Sequence, residues 1–533
     1  MNRFAVFCLG LFLLGRLPAA TSALDVRDYG AKGDGTAKDT AALQKTIDTA
    51  SNQGGGTVVV PPGKYLSGTL HLKSNVTLYL SPGSVILGSP DNADFDAYEA
   101  LPFQSVSDKE TTYFQYALVA AENVHDVAIV GEGAIDGNRA ERGGPKTVAM
   151  KLCERVTIRG IIVRNSPNYS ISLWGCDYVN IDGVTVLNGY ADGIDPDSSR
   201  YVRISNSYVD SADDAICPKA SPSMGMDQVR PVENLTVTNC VLRTNSSNFK
   251  FGTESSGDFK NIAVSNLVML PREAGRPPRS GISLESVDGA HIQGVVISNI
   301  TMRGVRVPIF LRLGNRGRGL DPKVAGSLED VSISNINAHG SAVPSSITGV
   351  PGYRIRRVSL DGIHENFEGG VKDSLSLNVD EMVQHYPEGT MWGTLPAWGL
   401  YVRHTDGLTM RNFDAAWTTP DRRAAMIFDD VRDLSLDGVQ PNTADGPAPL
   451  IWLNDVAGAL IRGSRPAVDS PLFLRLSGRN SRGIVLMGNE LTRVERPYEL
   501  QDAPAEAITL KGNAVKGAPG SHSASNNGPL RKH

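Results

Sequence analysis

A single pattern of apolar and polar positions recurs along most of the chain. The segments CERVTIRG, CDYVNIDG and SRYVRISN start 23 residues apart, at Cys153, Cys176 and Ser199, and place β-branched side chains at alternating positions. Such alternation predicts β-strands with one buried and one solvated face. Each segment ends in Gly or Asn, which suits a corner with positive φ. Related segments start at Val124, Val232, Phe259, Ile292, Leu328, Ile355, Thr405, Val431, Val456, Ser481 and Ala505.

The spacing of these segments predicts a solenoid. Neighbouring segments start 23 to 36 residues apart, with one gap of 50 residues. Propeller blades need about 40 to 45 residues each, and no leucine-rich-repeat signature recurs. An all-β fold, a right-handed parallel β-helix, fits best, because short strands from successive turns stack about 4.8 Å apart around an apolar interior. The long gap predicts an excursion over about residues 364–398 that covers part of the outer face.

The ends of the solenoid carry different patterns. DTAALQKTIDTA, from Asp39 to Ala50, is amphipathic and predicts a short N-terminal capping helix, with Asp39 at its N-cap or in its first turn. Residues 24–515 then form one β-helix domain. Residues 516–533 are polar and lack the pattern, which predicts a disordered tail.

Residues 1–23 have the features of a signal peptide. Arg3 precedes the apolar run FAVFCLGLFLLG, and small residues follow up to Ala23. Arg16 leaves the run too short to span a bilayer, and a buried N-terminal strand is the alternative. The signal peptide predicts an exported protein, extracellular or periplasmic. No later stretch approaches ~18 uninterrupted apolar residues, so we expect no association with a membrane.

Composition excludes several classes of protein. Among 533 residues, 41% are hydrophobic and 57 acidic side chains stand against 52 basic ones. These values exclude a disordered chain, a collagen and a coiled coil, and they offer no basic field for nucleic acid. No C-x-x-C motif occurs and no His lies at metal-ligand spacing, so we expect no zinc. We also expect no cofactor and a monomeric protein. A disulfide between Cys217 and Cys240 stays open.

Two aspartate-rich strings in successive turns carry the candidate chemistry. Aligning GYADGIDPD with SADDAICPK through Ile194 and Ile216 puts Asp192 over Asp214, with Asp213 beside them. Clustered carboxylates raise some pKa values and separate an acid from a base. One protonated and one ionised carboxyl flanking a bond are what glycosidic hydrolysis needs. A calcium site or simple aspartate-rich turns are the alternatives.

Three motifs resemble the N-terminal half of glycoside hydrolase family 28, the polygalacturonase and rhamnogalacturonase family. They are YGAKGDG with DTAALQ, GGGTVVVPPGKY and GEGAIDGN, and the resemblance covers approximately Leu24 to Gly317. It implies a right-handed parallel β-helix that hydrolyses pectic polysaccharides with inversion and without a metal. It also implies that Asp213 is the general acid, while Asp192 and Asp214 hold and deprotonate the attacking water. The Asn-Thr that precedes the first Asp in the family is absent here.

The motifs that bind the galacturonate carboxylate in that family are also absent. Ser247 stands at the His of the family's G-H-G, while Ser283 and Glu285 stand at the Arg and Lys of its R-I-K. We therefore expect weak or no action on plain homogalacturonan. Lys250 and Arg312 are candidate replacements, because a cation can bind a uronate carboxylate. The alternative is a surface column of paired charges made by Asp197, Lys219, Glu285 and Arg312.

The remaining sugar-binding candidates are Asp195, Glu254, Glu285 and His404. The leading hypothesis is a secreted glycoside hydrolase whose partner is a pectic or other uronate-containing polysaccharide. One rival is a calcium-dependent polysaccharide lyase on the same scaffold, whose ion would be held by carboxylates. Another rival is a non-catalytic glycan-binding β-helix, since function lies in the site and not in the scaffold.

Overall fold

The computed structural model describes residues 23–441 and 448–516, and in these ranges the chain is a right-handed parallel β-helix. The predicted signal peptide up to residue 22 and the tail from residue 517 lie outside the described residues. Every repeated segment forms a strand, so the predicted fold is confirmed. Successive turns pair in parallel to form three sheets that run along the axis.

Sheet 1 contains all of the repeated segments. Val156 stacks on Val179 and Val179 on Val202, which places alternate side chains in the interior. Its strands are Leu24–Asp25, Gly56–Val60, Val76–Leu80, His125–Gly131, Glu154–Arg159, Asp177–Asp182, Arg200–Ser205, Ala457–Arg462, Arg482–Met487 and Ile508–Lys511, together with parts of the long strands given below.

Sheet 2 follows sheet 1 in each turn. Its separate strands are Asp34–Lys38, Gly63–Ser67, Ser84–Gly88, Ala134–Asp136, Ile162–Arg164, Thr185–Gly189, Tyr208–Ser211 and Gln440–Pro441. Five longer strands bend through the corner and continue from sheet 1 into sheet 2: Val232–Thr244, Phe259–Pro271, His291–Arg303, Ser327–Ser341 and Ile355–Gly369. Glu490–Leu491 and Ala514–Val515 pair separately near the C-terminal end.

Sheet 3 carries the aspartate-rich strings. Two strands, Ala397–Thr419 and Ala424–Asp437, start in this sheet and continue into sheet 1, and the first of them also continues into sheet 2. Its other strands are Leu70–His71, Ala117–Glu122, Lys146–Lys151, Ile171–Trp174, Ile194–Asp197, Ser247–Phe251, Ser280–Ser286, Val307–Leu313, Ser345–Thr348, Ile451–Asn454, Ser470–Ser477 and Val494–Gln501. Short 3₁₀ helices lie at Val26–Tyr29, Asn92–Asp94, Lys109–Thr111, Met226–Gln228 and Ala505–Ala507.

The predicted corners with positive φ are confirmed by an asparagine ladder. Asn206, Asn239, Asn266, Asn299 and Asn335 end successive repeats with φ between 54° and 58°. From Asn239 onwards, each side-chain amide donates to the carboxamide oxygen of the preceding Asn at 3.1 to 3.3 Å, and the amide of Asn206 donates to Asp182. Asn tolerates left-handed backbone and also supplies this hydrogen bond, which explains its use at these corners.

The predicted capping helix spans Thr40–Asn52 and buries Leu43 and Ile47 against the first turns. Asp39 stands at the N-cap, but its carboxylate makes no capping hydrogen bond. It accepts instead from the backbone amides of Lys32 and Gly33, at 2.7 and 3.0 Å. The side chain therefore fixes the preceding loop. No helix among the described residues has the length and apolarity needed to cross a membrane.

The excursion is shorter than the sequence pattern predicts. The strand Ile355–Gly369 continues past His364, and the next strand starts at Ala397. The excursion therefore occupies residues 370–396, not 364–398. Alternate side chains of this strand, Glu365 and Phe367, still point into the interior, so the strand is extended beyond the repeated segment.

The four described cysteines are free and buried, so the considered disulfide is not formed. Cys217 lies next to sheet 3, with its Sγ 2.8 Å from the carbonyl oxygen of Gly252. Cys240 lies near the corner between sheets 1 and 2, with its Sγ 3.2 Å from the carbonyl oxygen of Thr238. Two cysteines on different sides of the interior cannot approach to bonding distance.

Glu365 gives the first testable prediction. Its carboxyl accepts from the Ser345 hydroxyl at 2.7 Å, while Oε2 has no hydrogen-bond partner among the described residues. Burial raises the pKa of Glu365 to about 8, with the Ser345 hydrogen bond opposing the shift. The folded protein therefore keeps a proton that the unfolded chain loses above its ordinary pKa of 4.5, so this group makes stability fall as pH rises from about 5 to 8.

We expect the stabilisation produced by Glu365→Gln to be larger at pH 8 than at pH 5, by on the order of 3 kcal/mol. Urea unfolding at both pH values measures the difference. Glu368→Gln is the matched control, because this neighbour is exposed. An equal effect of Glu365→Gln at the two pH values would contradict a buried, protonated Glu365.

Candidate active site

The alignment that predicted the carboxylate cluster is confirmed by the strand register. Ile194 pairs with Ile216 across neighbouring turns of sheet 3. The backbone amide of Asp214 lies 3.1 Å from Oδ1 of Asp192 and 3.1 Å from Oδ1 of Asp213. Ligand atoms of Asp192, Asp214 and Cys217 lie within 4.8 Å of one another. The structure thus brings the three predicted carboxylates together.

A buried lysine joins Asp192 to Asp195. The Lys219 ammonium lies 2.5 Å from Oδ2 of Asp192 and 2.6 Å from Oδ2 of Asp195, and 4.1 Å from the ring centre of Tyr169. Burial raises the pKa of Asp192 well above its usual range and repulsion by Asp195 adds to this, while Lys219 opposes both. Burial raises the pKa of Asp195 to about 6, again against Lys219.

A second buried lysine neutralises Asp214. Lys250 Nζ lies 3.2 Å from Oδ2 of Asp214 and donates to the Tyr386 hydroxyl of the excursion at 3.4 Å. The backbone amide of Ser247 donates to Oδ1 of the same Asp at 2.8 Å. Lys250, a predicted sugar-binding residue, therefore lies in the carboxylate cluster, with its charge directed at Asp214.

Asp213 is the accessible member of the cluster. Its side chain is 33% exposed, and Oδ2 accepts from Nη1 of Arg142 at 2.6 Å. Burial favours the neutral carboxyl, but the hydrogen bond and charge of Arg142, with Lys250, outweigh it and hold the pKa of Asp213 below its usual range. In this state Asp213 is ionised at neutral pH.

The two predicted glutamates lie on the next turns. Glu254 accepts from Arg318 at 2.9 Å; burial raises its pKa, but Lys219 and Arg318 outweigh burial and bring it to about 2. Burial raises the pKa of Glu285 to about 7 in spite of Lys250. Glu285 accepts from the Ser283 hydroxyl at 2.8 Å. One glutamate is therefore a buried carboxylate and the other a group that titrates near neutrality.

Arg312 and His404 lie outside the cluster and contact the excursion. Arg312 lies three turns beyond Lys219, roughly 14 Å away at the usual strand spacing, and donates to the carbonyl oxygens of Glu381 and Met382 at 2.7 and 3.1 Å. His404 lies a further two turns away, with Nδ1 2.6 Å from Asp430 and Nε2 3.1 Å from Glu381. In this structure both side chains hold the excursion against the β-helix.

The alternative of a paired surface column is wrong. Asp197 accepts from the backbone amide of Ser221, Lys219 turns to the aspartates before it, and Arg312 binds the excursion. The register does stack these positions, with Asp197 opposite Lys219 and Glu285 opposite Arg312. Buried carbonyls and carboxylates offer these cations better partners than the neighbour in the column.

Sequence reasoning missed several residues of the site. Tyr169 lies one turn before Asp192 in the strand register, so the length of one turn could have identified it from the sequence. Arg142 follows the motif GEGAIDGN in a loop, and Glu110 reaches it from the short 3₁₀ helix Lys109–Thr111. Tyr386 comes from the excursion. Nothing in the repeat pattern points to loop residues such as these.

Comparisons with known proteins agree with this architecture. The family model described as rhamnogalacturonase A/epimerase, pectate lyase-like matches residues 23–306. A probable polygalacturonase of Vitis vinifera is 25% identical over 349 residues, which are 61% of this chain and 70% of the relative. An exo-poly-alpha-D-galacturonosidase of Dickeya chrysanthemi is 25% identical over 403 residues, covering 62% of this chain and 65% of the relative.

Solved structures share the fold. The exopolygalacturonase of Thermotoga maritima superposes with a TM-score of 0.56 at 21% identity, over 65% of this chain and 87% of that one. The polygalacturonase of Erwinia carotovora gives 0.50 at 19% identity, over 65% and 94%. The chain therefore belongs to the rhamnogalacturonase A/epimerase, pectate lyase-like family, as a divergent glycoside hydrolase related to the polygalacturonases of family 28.

Proposed function

We propose that this protein is exported and hydrolyses glycosidic bonds of a pectic or other uronate-containing polysaccharide, with inversion at the anomeric carbon. The supporting observation is the convergence of Asp192 and Asp213 on the backbone amide of Asp214. Asp213, the exposed member, is the general acid that protonates the leaving oxygen. Asp192 and Asp214 position the attacking water and take its proton.

The two buried lysines give the carboxylates different roles in the reaction. Lys219 lies 2.5 Å from Asp192 and Lys250 lies 3.2 Å from Asp214, so each ammonium group orients one deeper carboxyl and opposes the loss of its charge on burial. The raised pKa of Asp192, caused by burial and by Asp195, makes it a stronger proton acceptor than an ordinary carboxylate. Each turnover then moves one proton from water to the base and one from Asp213 to the leaving group.

The substrate differs from plain homogalacturonan in this proposal. Ser247 and Ser283 replace a His and an Arg of the family motifs, and Glu285 places a carboxyl where the family has a Lys. A carboxyl at that position repels a galacturonate carboxylate when it is ionised. A panel of homogalacturonan, rhamnogalacturonan and xylogalacturonan, with the fresh product's anomeric configuration read by NMR, tests this. Retention of configuration would contradict the proposed mechanism.

The calcium-dependent lyase is the second candidate function, and the donor set argues against it. Calcium takes six to eight oxygen ligands. Here Lys219 forms ion pairs with Asp192 and Asp195, and Lys250 forms one with Asp214. Each of these carboxylates therefore already faces an ammonium group. The nearby Cys217 thiol is a soft ligand, which calcium does not favour.

We therefore expect hydrolysis to be unchanged after EDTA treatment, because the lysines already supply the charge that an ion would bring. Reducing ends released from pectic fractions measure hydrolysis, and absorbance of unsaturated products measures elimination. A commercial calcium-dependent lyase treated in parallel is the control. Unsaturated products that disappear with EDTA would replace the hydrolase by the lyase.

A further inference from the structure

Two features of the candidate site would be explained by a single cation that binds the substrate. The family's galacturonate-binding residues are replaced, and Asp213 is held ionised although the proposed reaction needs its proton. Most cations around the cluster are paired with carboxylates that are almost fully buried. Those carboxylates are 1 to 7% exposed, and the pairs are Lys219 with Asp192 and Asp195, Lys250 with Asp214, Arg316 with Asp288, and Arg318 with Glu254 and Asp288. Arg318 also pairs with Asp108, which is 59% exposed, but it keeps its two buried partners as well.

Arg142 differs from these cations in its exposure and in its partners. Its side chain is 43% exposed, and both of its carboxylate partners are about one-third exposed. Glu110 accepts from Nε and Nη2, and Asp213 accepts from Nη1. Glu110 thus fixes the guanidinium through two nitrogens, while the third nitrogen points at the candidate acid.

The contact between Arg142 and Asp213 can be exchanged at small cost. An ion pair exposed to solvent typically contributes only about 0–1 kcal/mol, because water and ions compete with it. A carboxylate from an incoming sugar offers Nη1 the same hydrogen bond as Asp213. The buried pairs around Lys219 and Lys250 cannot exchange in this way, since removing one partner strands a buried charge.

We propose that Arg142 binds the carboxylate of a uronate residue in the substrate and releases Asp213 as it does so. Glu110 keeps the guanidinium in place during the exchange. This inference rests on the proposed function, because it uses Asp213 as the acid. It assigns the missing carboxylate-binding role to a residue of the loop that follows Asn138, outside the family motifs.

The exchange links binding of the sugar carboxylate to protonation of Asp213. Once Arg142 faces the sugar carboxylate, its charge is compensated and Asp213 takes a proton from solvent, which it later gives to the leaving oxygen. Asp192 and Asp213 converge on the same backbone amide and repel each other, which adds to the increase that burial causes in the pKa of Asp192, while Lys250 favours the ionised form of Asp213. A neutral sugar does not compensate Arg142, so it leaves Asp213 ionised. A uronate therefore improves both binding and kcat.

Binding of galacturonate and of its neutral methyl ester, measured by calorimetry, tests the first half of the inference. We expect the wild type to prefer galacturonate at least tenfold and Arg142→Gln to lose this preference. Arg155→Gln is the matched control: Arg155 is 48% exposed and paired with the exposed Asp126, away from the site. It should retain the preference.

The pH profile of kcat/KM tests the second half. Because Arg142 lowers the pKa of Asp213 in the free enzyme, Arg142→Gln should move the alkaline limb to higher pH, and Arg155→Gln should not. An unchanged preference or an unmoved alkaline limb in Arg142→Gln overturns this inference and leaves the proposed hydrolase standing. A wild type that binds neither sugar and cleaves no pectic fraction overturns both.

Discussion

Replacing Asp213 by Asn is expected to lower kcat for the cleaved pectic fraction by about 10²- to 10⁴-fold, the usual contribution of a general acid. Asn keeps the size of the side chain and its hydrogen bond to Arg142, but it carries no transferable proton. Because Asp213 is the exposed member of the cluster, the change leaves the buried pairs of Lys219 and Lys250 intact. Release of reducing ends measures the loss.

Asp126→Asn is the control for this variant. Asp126 forms an exposed pair with Arg155, much as Asp213 does with Arg142, but on sheet 1 and away from the cluster. We expect it to keep wild-type kcat. Full activity in Asp213→Asn, with thermal unfolding unchanged, would remove Asp213 from the mechanism and favour a non-catalytic role for the cluster.

Replacing Lys219 by Met is expected to destabilise the folded protein by about 3–5 kcal/mol, the usual cost of breaking a buried ion pair. The change leaves Asp192 and Asp195 buried without their cation, so one of them must take up a proton or remain as an uncompensated charge. Removal of the ammonium raises both pKa values further. Stability therefore falls more steeply in the variant than in the wild type as pH rises above the ordinary carboxyl range near 4.

Urea unfolding at pH 5 and pH 8 measures this effect, and the deficit should be larger at pH 8. Lys260→Met is the control, because Lys260 is 41% exposed and pairs with Asp258 at the surface. An ion pair of this kind contributes less than about 1 kcal/mol to the free energy of unfolding. Equal losses in the two lysine variants, or a deficit independent of pH, would show that Lys219 does not neutralise the aspartates.

The repeat pattern was sufficient to predict the β-helix and its corners. Val179 and Val202 alternate with polar neighbours because one face of each strand is always interior, so the period of two is visible in the sequence. The Asn that ends each repeat is visible for the same reason, since the corner demands a residue that tolerates positive φ. The bounds predicted for the excursion differ from those of the structure, because Glu365, an ionisable residue, continues a buried strand.

The stacking of Asp192 on Asp214 could also be predicted, since a register in a solenoid follows from the length of one turn. The partners of these carboxylates could not. Lys219 was placed in the column of Asp197, yet its long side chain bends to the aspartates before it. Its four flexible bonds let the ammonium reach whichever buried charge gains most from it.

The sequence by itself determined the β-helix, the buried face of each strand and the stacking of the carboxylates on sheet 3, because each of these follows from a short period within the chain. Only the tertiary structure decided which cation each carboxylate meets, through Arg142 from a loop, Glu110 from a short 3₁₀ helix and Tyr386 from the excursion. Loops have no period, and their positions depend on contacts between residues as far as 210 positions apart, such as Asp108 and Arg318. The charge state of the site is therefore a property of the folded molecule and not of its repeats.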